Sequence, residues 1–110
     1  MGFSANQARL CALISRKSDL ELEWQFITNH RLYLGNMTSG FFNMQAKLEY
    51  NSDAFRILEA RIRQLQQTDK ILEMHLKRIE NQREAISKEI EGTDKVIKDN
   101  IKSSFGLAAR

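Results

Sequence analysis

Apolar residues recur along most of this chain at alternating three- and four-residue steps, the spacing that gives an α-helix one continuous apolar edge. The pattern is clearest from Phe41 to Ile101. With Ile62 at heptad position a, the other a positions are Phe41, Leu48, Phe55, Asp69, Leu76, Arg83, Ile90 and Ile97. The d positions are Met44, Asn51, Leu58, Leu65, Leu72, Ile79, Ile86, Thr93 and Asn100. An edge held in phase over this distance serves to pack against a partner helix. The spacing therefore predicts a long helix over about 41–105.

A second stripe precedes it: Leu10, Leu13, Leu20, Trp24, Ile27 and Leu34, widened by Ile14, Phe26 and Tyr33 and interrupted by Lys17 and Arg31. It predicts a first helix over about 4–34, with Ser4 as cap, Gln7 reaching back and Phe3 stapled onto Ala8. Between the stripes, Gly35-Asn36-Met37-Thr38-Ser39-Gly40 joins a glycine able to close one helix to residues able to cap the next. A turn is expected at 35–40. Further candidate breaks are Asn51-Ser52-Asp53, whose side chains compete for backbone hydrogen bonds, Gln66 to Asp69, and Gly92. Gly106 is expected to end the long helix.

Composition sharpens the fold class. The 110 residues contain no proline and five glycines, too few breakers for a loop-rich or all-β fold. The expectation is an all-α single domain spanning 1–110, either a helical hairpin or an elongated coiled coil of two to three helices. Glu59/Arg63, Glu73/Lys77, Glu84/Lys88 and Glu91/Lys95 each place an acid four residues ahead of a base, as a solvated helix face does.

With these bounds a first helix of roughly 46 Å faces a second of roughly 90 Å. The shorter cannot cover the longer, so either the long stretch folds back near Thr68 or much of its edge is left for another chain. Asp69, Arg83, Thr93 and Asn100 within the seam suit a wet contact that fixes register.

Candidate chemistry changes this picture little. His30 and His75 have no second histidine or cysteine at ligand spacing, and Glu21 and Glu23 diverge on a helix rather than sharing a proton. There is no nucleophile elbow and no phosphate-binding glycine loop, so no enzyme activity, metal or cofactor is expected. The lone cysteine, Cys11, excludes an internal disulfide and reads as a small buried hydrophobe. The net charge of +3 is spread along the chain. Arg56, Arg61, Arg63, Lys70, Lys77 and Arg78 are threaded with acids and lack stacking aromatics, so nucleic acid is not an expected partner. Asp19, Glu21 and Glu23 argue likewise against the first helix lying on a membrane. The Asn36-Met37-Thr38 triplet matches a glycosylation sequon without other secretory signs, and Asn6 stands where N-myristoylation wants Ser or Thr. No cleavable signal or membrane span is visible, so the protein is expected in the cytoplasm, or at the cell surface by a leaderless route.

The opening Met1-Gly2-Phe3-Ser4-Ala5-Asn6-Gln7-Ala8-Arg9-Leu10 resembles the start of short bacterial helical proteins beginning M-G-x-S-x-x-Q-A-R-L. The segment from Val96 to Phe105 is similar to their ends. In architecture, with apolar helices at both ends and a Gly/Asn/Ser turn, the chain resembles filament subunits of the flagellar and type III secretion needle families. That resemblance implies a structural protein self-assembling into a homo-oligomer or helical filament. The residues expected to carry assembly are Leu10, Leu13, Leu20, Trp24 and Ile27 on the first helix and Ile86, Ile90, Ile97, Ile101 and Phe105 near the end. The alternative is a coiled-coil adaptor or export chaperone that binds a helix of another protein.

Overall fold

A computed structural model of the chain describes residues 2–108; the side chains of Phe3, Leu107 and Ala108 are outside that description, as is the staple expected of Phe3. The fold is a helical hairpin made of α1 (Phe3–Ala46) and α2 (Asp53–Ala108). The helix ends follow from local chemistry. At the start of α1 the Gly2 carbonyl accepts from the Ala5 and Asn6 amides, so Gly2 rather than Ser4 closes the first turn. At its end, Lys47 and Leu48 donate to the Met44 and Gln45 carbonyls in tightened i to i−3 bonds.

The connection is residues 47–52. Asn51 takes the left-handed conformation, φ 62°, which a short amide side chain tolerates better than most. Ser52 then caps α2: its Oγ accepts from the Phe55 amide at 3.2 Å, its carbonyl accepts from Arg56, and Asp53 places an acid in the first turn. The Tyr50 and Phe55 rings meet edge to face at 5.3 Å, and Gln45 Nε2 donates to the Phe55 carbonyl across the turn.

The turn expected at 35–40 is helix instead. Gly35 and Gly40 both have negative φ, as the helix requires. The half-buried or buried positions from Leu34 onward include Thr38, Phe41 and Gln45 on α1 and continue to Leu48 just past its end without a change of phase, with Met37 half-buried beside them. Packing along that edge outweighs the roughly 1 kcal/mol by which each helical glycine is disfavoured. Thr38 adds its share by donating Oγ1 to the Leu34 carbonyl at 2.8 Å rather than capping a new helix. Residues 41–46 therefore belong to the first helix, which puts Gln45 on the seam and leaves Met44 exposed. Gln66 to Asp69, Gly92 and Gly106 are helical too, so the long stretch does not fold back a second time. With 44 and 56 residues, the two helices are far closer in length than expected.

The contacts fall into two compact units, Trp24–Arg78, which holds the turn, and Met1–Glu23 with Ile79–Arg110. In each the helices run antiparallel and share a seam of a and d positions. The turn unit buries Ile27, Leu34, Ile62 and Leu76; the terminal unit buries Leu20, Ile79 and Ile97, with Leu20 0% exposed. In the terminal unit Arg9 pairs with Glu89 at 3.7 Å. On α2, Glu59/Arg63, Glu73/Lys77 and Glu84/Lys88 form as expected, and Asp94/Lys98 closes at 3.0 Å.

Candidate functional site

Within the turn unit α1 differs from α2 in one respect that matters for function. From Gln25 to Ala46 its only permanently charged residue is Arg31. Apolar side chains sit on both sides of the seam stripe, an arrangement that a helix with a single neighbour does not need. In this unit α2 keeps its charges other than Asp69 off the seam, and its buried apolar residues lie on it.

The α1 seam has its own heptad phase, with Trp24, Arg31, Thr38 and Gln45 at a and Ile27, Leu34 and Phe41 at d. Arg31 and Asp69 thus both occupy a positions, where they meet through two hydrogen bonds of 2.8 and 3.2 Å and fix the register. The pair holds the Arg31 guanidinium above its usual range and the Asp69 carboxyl below its own, in each case chiefly through the hydrogen bonds between them. At about 100° per residue, this register sorts the remaining positions into two flanks.

On the e and b flank an open groove of about 1000 Å³ runs between the helices. Leu32 and Phe42 stand at its α1 edge with Gly35 and Ser39 between them, while Arg63, Gln66, Lys70 and Glu73 form the α2 wall. A Cβ on Gly35 would meet nothing within 4 Å, which is why the groove is open there. Thr28 also lines it, and its buried hydroxyl has no hydrogen-bond partner.

On the c and g flank the surface is apolar from both helices. Phe26 is 72% exposed and Tyr33 62%, with Met44 beyond them; from α2 come Ile57 at 62% and Ile71 at 60%. Between Phe26 and Met44, and between Ile57 and His75, Arg61 is the only permanent charge at c and g positions. Asn29, Asn36 and Asn43, at a strict spacing of seven, form the polar ridge of α1 at position f.

The residues expected to carry assembly lie elsewhere. Leu20, Ile27 and Ile97 are buried against the other helix of their own chain, and Leu10, Leu13, Trp24, Ile86 and Ile90 are half-buried on the same seam. Much of the apolar surface of these eight is therefore covered within the chain. Ile101 and Phe105 are exposed, Phe105 at 77%. Cys11, expected buried, is exposed. Sequence spacing alone does not separate this flank from the seam, because Phe26 and Tyr33 lie beside the seam residues and widen that stripe, although their separation of seven marks a stripe of their own.

Among the described residues no helix is long and apolar enough to cross a membrane, and no cluster of three or more histidine, cysteine or acidic residues is placed to hold a metal. No protein-family model, curated protein or solved structure matches the chain.

Proposed function

We propose that this chain is a structural protein that assembles with other copies of itself. What carries the reading is the exposed, almost uncharged apolar surface of α1 and its neighbours in the turn unit, from Phe26 to Met44. Contiguous apolar patches beyond about 300–600 Å² on a protein surface mark interaction sites. Each large apolar side chain left in water forgoes ~1.5–3 kcal/mol relative to burial, so covering several of them drives association.

The finer reading is a subunit of a filament or larger assembly, of the kind found in bacterial surface or secretion structures. It is supported by a second apolar surface, Ile101 and Phe105 at the end of α2. Two different surfaces permit contacts that continue from copy to copy instead of closing at once. Electron microscopy of the purified full chain tests this: ordered multi-copy particles or fibres are expected. A field of single small particles at ~50 μM, well above the micromolar range of ordinary association, would contradict it.

The groove favours a second reading, an adaptor that takes a helix of another protein between Leu32 and Phe42. Such a protein remains a small oligomer until its partner is added, whereas a self-assembling subunit grows unaided.

A further inference from the structure

Resting on the reading that the chain self-associates, we infer that its primary contact is a two-fold pairing of the c and g flanks of two turn units, giving a four-helix bundle whose other pair of helices is a second copy of this chain.

The argument begins with charge. A two-fold contact sets a surface against itself, so every charge it carries meets its own kind or an apolar group. The two flanks of the turn unit differ sharply in this respect. The groove flank presents Arg63, Lys70 and Glu73 from α2, and pairing it with itself would desolvate them. The opposite flank presents Phe26, Tyr33, Met44, Ile57 and Ile71, with Arg61 and, at the edge of the unit, Arg78 as its permanent charges. A partner of unlike charge has almost nothing to recognise there, whereas an identical apolar surface is complementary without any further requirement.

Area gives the same answer. Five large apolar side chains, four of them 60% or more exposed, offer on the order of 600 Å² per copy, and their polar neighbours bring the face near the ~800 Å² per partner of an ordinary stable interface. Both helices contribute, so the face is broad rather than a single ridge. A second hairpin laid on it meets α1 and α2 together, the geometry of a four-helix bundle. Asn29, Asn36 and Asn43 on the outermost line of α1 then border the contact as its polar rim.

The test compares flanks by light scattering of the full chain at matched concentration. Tyr33→Glu with Ile71→Glu is expected to weaken association by roughly 100-fold, each buried charge being worth about a factor of ten or more. Leu32→Glu with Phe42→Glu, on the groove flank, is expected to leave it unchanged. Both pairs alter exposed side chains, so helix content by circular dichroism should match wild type. As a second measurement, the thiol of Ile71→Cys in a Cys11→Ser background should react with maleimide more slowly at high protein concentration than at low, and that of Phe42→Cys should not. If wild type associates but the groove variant alone dissociates, if both variants do, or if neither does, the pairing is wrong while self-association stands. If wild type is one copy at every concentration, both are wrong. Thiol protection at residue 42 in place of residue 71 also overturns the pairing.

Discussion

Arg31 and Asp69, thirty-eight residues apart, lock together on the seam of the turn unit, with Arg31 Nε donating to Asp69 Oδ1 and Nη2 donating to Oδ2. The two parallel bonds give the pair directional specificity that an isolated surface lysine would lack. Asp69 is 37% exposed on its side chain, so solvent screens the attraction and the pair is worth about 1 kcal/mol at most. Asp69→Ala should cost more than that, because it leaves a half-buried guanidinium unpaired, and urea unfolding reads the difference. Replacing both partners with leucine should be neutral or stabilising.

The same pair makes a pH prediction. Because folding lowers the Asp69 pKa, its contribution is fully present above the unfolded carboxylate pKa of about 3.9. It is lost as pH falls through the folded value. The stability gap between wild type and Asp69→Asn should be constant from about pH 7 to 5 and shrink toward pH 3. A gap that widens on acidification would contradict the pairing.

Gly35 tests the continuity of α1. In a helix with open space around it, alanine is better than glycine by about 0.5–1 kcal/mol, so Gly35→Ala should raise the midpoint of thermal unfolding by a few degrees. Were Gly35 a left-handed turn residue, the same change would destabilise.

The connection at 47–52 makes the complementary prediction. Ser52→Ala removes the Oγ that accepts from Phe55 and should cost about 1 kcal/mol. Asn51→Gly should be tolerated or mildly stabilising, whereas Asn51→Val should destabilise by more than about 1 kcal/mol, since a β-branched side chain resists positive φ.

Thr28 carries a buried hydroxyl with no partner, unlike Thr38 and Thr68, which donate to the carbonyls four residues back. Thr28→Val keeps the shape and removes the unsatisfied group. Unfolding measurements should show equal or greater stability, with a gain of about 1 kcal/mol.

Much of this fold was legible in the chain, and the part that was not has a physical cause. The α2 seam from Phe55 to Ile97 follows the heptad of the sequence, because apart from Asp69 and Arg83 its charges lie off the seam and leave one apolar edge unambiguous. The break expected at Asn51-Ser52-Asp53 falls at the true connection, whereas the turn expected at 35–40 is misplaced: it rests on glycine and cap residues that are local signals, and helix continuity there is decided by packing from Leu34 to Leu48. One long-range clue was available. Arg31 and Asp69 interrupt their stripes with opposite charges, and the residue midway between them is Tyr50, inside the true connection. The same misplacement extended the α2 seam backward into α1 and made the helices look too unequal to cover each other. Once the seam is seen to be filled from within the chain, the surplus apolar surface is on the flank bearing Phe26 and Tyr33, outside any a or d position.

Sedimentation equilibrium of the unmodified protein from about 1 to 100 μM, the range in which ordinary interfaces of this size associate, tests most directly whether that surface is covered by a second copy. The account predicts a molar mass that rises with concentration to at least twice the 12.8 kDa of one chain. A constant mass of one chain throughout would contradict it.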